Sequence, residues 1–452
     1  MKILIKGAGD LATGIASRLY HSGHQIMMTE IEIPLTVRRI VALSRAVYEK
    51  EAVVEDMKGI LVSSMKEAEE VLAAGDIPVI IDERAEIAGE YQPDVIIDAI
   101  LAKKNLGTKI TDAPFVIGVG PGFTAGEDCH CVVETKRGHT LGRTIYEGSA
   151  IPNTGVPGNV GGYTIERLIR AAASGEMVPL AKIGDVVKKG QAVAVTGGKE
   201  VYAQMSGIVR GMLQPGVEVT ENLKIGDIDA RCEIDHCFTI SDKARSVGGG
   251  VLEAVTRFEH MRGSYAMVIL AAGRSVRFGD NKLLAAISGK CLYQHTLERM
   301  RAFQDYPQYL VTGYDNIAEE AQGQGIRTVM NQKPELGISH SIQLGLEACL
   351  KDHPDIQGIL FSVCDQPNLK AGTIQRILNT ASAHKGQVIC AGNPLRPGNP
   401  VLWDRAFFDE LRGLTGDHGG RKIMSRLPDK IRYVEAQSEE LKDIDLKDDI
   451  LE

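Results

Sequence analysis

The chain has no run of roughly 18 consecutive apolar residues, which excludes a helix that crosses a bilayer, and no membrane partner is expected. Its opening, MKILIKGAGD, offers only a short apolar run before a glycine turn. That is too short for the apolar core of a secretory leader, so none is expected. Eight cysteines are scattered over 452 residues with no dense framework. A disulfide-stapled secreted scaffold is thereby excluded, and a reducing, cytoplasmic setting is expected. Basic excess is also missing. The formal net charge is −8, so the electrostatic footprint of a nucleic-acid binder is absent and no nucleic-acid partner is expected. Aromatic residues are scarce at 5%, with one Trp.

Apolar residues make up 44% of the chain and charged residues 24%, enough to build cores and too apolar for disorder as the main state. At about 150 residues per domain the length suggests about three domains. Glycine is in excess, 49 residues, about 11% against a usual 7% or so. No repeat period accompanies it, so a collagen-like fibre is excluded. Twenty-four of these glycines fall within residues 107–250. Acid is uneven too: residues 435–452 carry eight Asp/Glu against two Lys, which reads as a solvated acidic end.

The order of elements predicts an α/β multidomain protein. Residues 2–6 read as a strand, Gly7-Ala8-Gly9 as a turn, 11–20 as a helix and 25–29 as a strand ending at Glu30. This strand, glycine turn, helix, strand and acid succession is a dinucleotide-binding context. Gly7 and Gly9 would approach a pyrophosphate and Glu30 a ribose, with NAD(P) or another nucleotide as the ligand. A Rossmann-like domain that takes another phosphate ligand, or none, stays open, because Asp10 beside the turn would repel a phosphate. The alternation predicts a Rossmann-like domain over 1–110 and a glycine-rich α/β extension over 111–177. Short strands at even spacing predict a small barrel-sandwich-like β unit over 178–226. A connector, 227–263, holds a turn at Gly248-Gly249-Gly250 and a helix from Val251 to Met261. From 264 to 452 the αβ alternation restarts.

The sharpest chemistry lies in this last region. A buried strand runs into Ala271-Ala272-Gly273-Arg274-Ser275-Val276-Arg277, then Lys282. Small residues let the backbone amides approach a triphosphate, and the cations Arg277 and Lys282 supply fixed positive charge. A second strand, Phe361-Ser362-Val363-Cys364, ends at Asp365, where a carboxylate at the sheet's carboxyl edge can hold Mg²⁺. Asp417, on the Gly416–Arg421 turn, would complete the metal site or cap the following helix.

These motifs, with Pro334–Ser341 and Gly398–Leu402, closely resemble the MocA-type molybdenum cofactor cytidylyltransferases over about residues 265–435. The resemblance implies a carboxy-terminal nucleotidyltransferase α/β domain. It would transfer a nucleotide from an NTP to the phosphate of the molybdopterin cofactor, releasing pyrophosphate. Carried over, Ala271, Ala272, Gly273 and Ser275 bind the nucleotide, Arg277 and Lys282 are catalytic, and Asp365 binds Mg²⁺, with Asp417 as a second acid. The methyl group of Ala272, where guanylyl-transferring relatives carry glycine, favours CTP. Asn399 stands where many relatives carry His.

Residues 1–260 resemble the YqeB-like accessory proteins of selenium-dependent molybdenum hydroxylase systems. The matching segments are Gly7–Gly14, Asp98–Lys103, Gly118–Phe123 and Gly142–Tyr163. A molybdenum hydroxylase apoenzyme is the partner this implies. Two other readings stay open: a cofactor-binding or delivery module without turnover, and transfer onto another phosphate acceptor. Cys129-His130-Cys131 and Cys232 with His236-Cys237 would bind a metal, carry sulfur or selenium, or pack as reduced thiols. The hairpin at Lys199 lacks a lipoylation or biotinylation tip.

Overall fold

The structure, a computed structural model, describes residues 1–153, 155, 158, 161–273, 278, 281–446 and 449. They form two compact units, Met1–Val255 and Thr256–Glu452, in a mixed α/β architecture.

In the first unit a nine-stranded sheet has Lys2–Lys6 at its centre. This strand pairs in parallel with Gln25–Glu30 on one side and with Val95–Asp98 on the other. Ile3, Leu4 and Ile5 are fully buried, the continuous apolar run that a strand covered on both faces requires. Helix Asp10–Tyr20 buries Leu11, Ile15 and Leu19, one face at helical spacing. The chain first leaves the central strand toward Gln25–Glu30 and later returns on its other side. That reversal opens a crevice at the carboxyl end of the central strand, where ligands bind in open α/β sheets. Two four-stranded antiparallel sheets follow between Leu168 and Asp229 and share a core that includes Met177, Val193, Val209 and Ile228.

The turn expected at Gly248-Gly249-Gly250 is a helix. Asp242–Arg262 runs through all three glycines without interruption. A Cβ on Gly248 would stand 2.5 Å from the Gly14 carbonyl oxygen, and one on Gly14 would stand 2.5 Å from Ala244 Cβ. Small residues therefore let two helices cross in near backbone contact. The crossing outweighs a helix-propensity cost of about 1 kcal/mol per glycine.

The second unit is built on a seven-stranded sheet. Tyr265–Ala271 pairs in parallel with Gln308–Thr312 and Gly358–Val363. Arg396–Asp404 then pairs antiparallel with Gly358–Val363. Tyr265–Ala271 again lies where the strand order reverses, so the ends Ala271 and Val363 open into one crevice. Leu346, Phe361 and Trp403 pack in the core on one face of this sheet.

Candidate active site

The expected residues of the carboxy-terminal unit converge on one cavity of about 580 Å³, lined by Ala271, Ala272, Gly273, Lys282, Asp365 and Asp417. Ser275 and Arg277 lie outside the described residues. Two side chains of the neighbouring strand and its loop hold the small turn. Thr312 Oγ1 donates to the Ala271 carbonyl (3.0 Å), and the Tyr314 hydroxyl donates to the Gly273 carbonyl (3.1 Å).

Lys282 follows Asn281, whose side chain accepts from the Leu283 amide and starts a short 3₁₀ turn. Its ammonium is 2.8 Å from Asp365 Oδ2 and 3.0 Å from Asp445 Oδ1. Burial pulls the Lys282 pKa down, but the two carboxylates outweigh it and leave the pKa raised. Lys282 is therefore a cation at neutral pH. Asp365 Oδ1 is buried without a hydrogen-bond partner among the described residues. One carboxylate oxygen is thus committed to Lys282, and the other is free to meet a hard cation such as Mg²⁺. No group of three or more His, Cys, Asp or Glu with metal-binding geometry occurs among the described residues. A Mg²⁺ ion here would draw its remaining ligands from water and phosphate oxygens, its ordinary habit.

Asp417 does not cap the helix that follows it. The helix after it, Arg421–Met424, has Gly420 at its N-cap. Asp417 instead reaches the start of another helix, Ile338–Asp352, where its Oδ1 accepts from the Ile338 amide at 3.4 Å. A backbone contact explains the detour. Gly337 has φ +82°, and a Cβ there would stand 2.6 Å from the Gly416 carbonyl. Ser339 Oγ then donates to that carbonyl at 2.7 Å. Gly337, Ile338 and Ser341 line the cavity, so a fifteen-residue helix turns its amino end, with its partial positive charge, toward it.

The sequence reading misses two contributors. Arg299 is almost buried, which lowers its pKa to about 10, and it donates to the carbonyls of Gln366 (3.1 Å) and Pro367 (2.8 Å). It fixes the loop that carries Asp365. The acidic end is the other. Its acids Glu435, Glu439 and Asp445 are exposed, as expected of a solvated end, yet the segment also docks at Asp365 and Thr373. The Ile444 amide donates to the Asp365 carbonyl at 2.9 Å, and Glu440 accepts from Thr373 Oγ1 at 2.6 Å. Ile444 and Glu440 are both buried, at 5% exposure. The signal was the pattern itself: apolar Leu441 and Ile444 are interleaved with the acids.

A larger cavity of about 950 Å³ adjoins the first, with Leu270 and Ile338 in both walls. Arg396, Asn399, Trp403 and Arg421 line it.

In the amino-terminal unit, Gly7, Gly9 and Glu30 line a cavity of about 400 Å³ at the sheet crevice. Gly9 is the N-cap of helix Asp10–Tyr20. The Glu30 carboxylate is already engaged: it accepts from the Ala8 amide (2.9 Å) and the Ile31 amide (2.9 Å). Burial raises its pKa. Cys129, His130, Cys131 and Cys237 are all buried. Burial raises the Cys129 thiol well above its ordinary range, and His130 Nδ1 accepts from the Val116 amide at 3.0 Å. These thiols are packed in the core, and only Cys232 is exposed.

The fold and crevice of the second unit are those of a nucleotidyltransferase domain. Residues 267–431 match the MobA-like NTP transferase domain family. The chain is 48% identical over 258 residues to "Uncharacterized protein YqeB" of Escherichia coli (strain K12), covering 57% of this chain and 48% of that protein. It thus spans about half the length of that relative. "Probable molybdenum cofactor guanylyltransferase" of Thermococcus gammatolerans is 32% identical over 80 residues, 17% of this chain and 42% of that protein. Among solved structures, Rv0371c from Mycobacterium tuberculosis H37Rv is 27% identical, covers 41% of this chain and 94% of its own, and superposes with a TM-score of 0.37. The chain therefore joins homology to YqeB over about half its length with a MobA-like NTP transferase domain. No helix among the described residues is long and apolar enough to cross a membrane.

Proposed function

We propose that the carboxy-terminal domain transfers a cytidylyl group from CTP to the terminal phosphate of the molybdopterin cofactor. The observation that carries this reading is the shared cavity of Ala271–Gly273, Lys282 and Asp365 at the carboxyl edge of the sheet. The triphosphate lies over the small turn. Lys282 and the amino end of helix Ile338–Asp352 meet its charge, and Arg277 completes the cation set. An acceptor phosphate oxygen, arriving from the larger cavity, attacks the α-phosphorus in line. The new P–O bond forms as the bond from that phosphorus to the oxygen bridging to the β-phosphate breaks. Pyrophosphate leaves with the electron pair. Lys282 meets the charge that grows on the leaving group. A Mg²⁺ ion on Asp365, with Asp417 as a second acid, would neutralise phosphate oxygens when bound.

The methyl of Ala272, buried in the cavity wall, supports cytosine over guanine, with about 1–3 kcal/mol of discrimination available from one such group. For the amino-terminal unit we propose a Rossmann-like domain with a nucleotide-sized site at Gly7, Gly9 and Glu30. It would serve a selenium-dependent molybdenum hydroxylase apoenzyme that receives the finished cofactor. The full chain incubated with each NTP and molybdopterin cofactor tests the transfer: pyrophosphate forms with CTP and the mass of the product rises by one cytidylyl group. Equal turnover with GTP overturns the base assignment, and no pyrophosphate with any NTP overturns the reaction.

A further inference from the structure

The amino-terminal unit holds a second cavity, of about 440 Å³, whose chemistry the glycine turn does not account for. Arg38, Arg167 and Arg210 line it, with side chains only 9%, 12% and 8% exposed. Lys103, Lys136, Arg137, Lys224 and Lys243 complete a lining of eight cations. Five carboxylates answer them. Asp10 and Asp227 share the lining. Asp229 lies 3.9 Å from Arg210, Asp242 takes Arg137 through two hydrogen bonds of 2.7 and 2.8 Å, and the Glu134 charge acts on Lys243.

The arginines are held rigidly yet incompletely satisfied. Arg38 Nη2 donates to the carbonyls of His236 (3.0 Å) and Thr239 (3.1 Å), and Arg210 Nε donates to His236 (3.3 Å). Arg38 Nε and Arg167 Nε are buried without a partner among the described residues. Burial lowers the pKa of both Arg210 and Lys243, so these cations lean against their own desolvation. Orphaned buried donors beside surplus positive charge are unfavourable for a protein alone and become favourable around an anion.

The neighbouring cavity supplies the other half of a ligand. It shares Asp10, Leu11, Arg38, Leu101 and Lys224 with the cationic one. Its wall carries Ile31, Leu35, Ile100 and Leu106, apolar side chains left 36–53% exposed. We propose that the amino-terminal unit binds a phosphorylated small molecule, its phosphate in the cationic cavity and its organic body against these apolar residues. The Ala8 amide of the glycine turn is occupied by Glu30, so the phosphate sits on Arg38, Lys136 and Lys243 rather than on that amide. This assignment is independent of the transfer reaction of the other domain.

The test is a titration of inorganic pyrophosphate into the full chain carrying Lys282→Ala, which weakens the carboxy-terminal anion site. One site should remain, and adding Lys136→Ala with Lys243→Gln should weaken it about tenfold, the loss of two charge-assisted contacts. Lys136 is exposed, so Lys136→Ala alone, read at about threefold, replaces the pair if the double change melts the chain. Amine acetylation read by mass spectrometry gives a residue-level check: pyrophosphate should protect Lys136 and Lys243. Unchanged affinity in the substituted chain, or no protection of either lysine, overturns the proposal.

Discussion

The Lys282 ammonium is held by Asp445 at 3.0 Å, so a carboxylate from the carboxy-terminal segment occupies the cation that is to meet the triphosphate. Nucleotide must share or displace that contact. Asp445 is half exposed, and such pairs contribute about 0–1 kcal/mol. Asp445→Asn should therefore lower KM for the nucleotide by up to about fivefold, with kcat little changed. A rise in KM in steady-state assays would show that Asp445 helps to bind the nucleotide instead.

Lys282→Ala should lower kcat by about two orders of magnitude, as does loss of one preorganised donor in other transfer sites. The chain should still fold, because Lys282 sits at the cavity rather than in the core. Circular dichroism beside the assay separates these effects. A variant that is folded and fully active contradicts the role given to Lys282.

Asp443 gives the docked segment a pH dependence. Burial, and then the Asp365 charge, raise its pKa from 3.8 to about 6. The docked segment therefore binds the Asp443 proton more tightly than the released one. Its docking advantage is complete below about 4 and is lost as pH rises through about 6. Hydrogen exchange at the Ile444 amide, corrected for intrinsic rates, should be more protected at pH 5 than at pH 7.5. Equal protection at both contradicts this.

The glycine run in helix Asp242–Arg262 separates two kinds of glycine. Nothing lies within 4 Å of a Cβ on Gly249, so Gly249→Ala should stabilise by about 0.5–1 kcal/mol. Gly248→Ala would drive its methyl into the Gly14 carbonyl and should destabilise by about 1–3 kcal/mol. Thermal unfolding of the two variants should move in opposite directions.

Much of this architecture was legible in the sequence for a physical reason. Strands such as Lys2–Lys6 and Gly358–Val363 are buried on both faces and write themselves as unbroken apolar runs. Asp365 stood out because it follows such a strand closely, and Lys282 because it lies beyond the small turn that ends another. Arg396–Asp404 was not legible as a strand. Pro397, Gly398 and Pro400 mark it as a loop, and only its pairing with Gly358–Val363 and Val388–Asn393 makes it one. Gly248-Gly249-Gly250 misled in the same way, since the reason for those glycines is Gly14, more than two hundred residues away. Arg299 depends on long-range contacts that no local pattern encodes, and the docking of the acidic segment shows locally only as Leu441 and Ile444 set among its acids.

The most direct test is Asp365→Ala in the full chain, assayed for pyrophosphate with CTP, Mg²⁺ and molybdopterin cofactor. Removing the carboxylate takes away the partner of Lys282 and the one oxygen of this residue left open to a cation. The variant should release no pyrophosphate above background while remaining folded, and chelation of the wild-type chain should reproduce that loss until Mg²⁺ is restored. Wild-type turnover by Asp365→Ala would contradict the account.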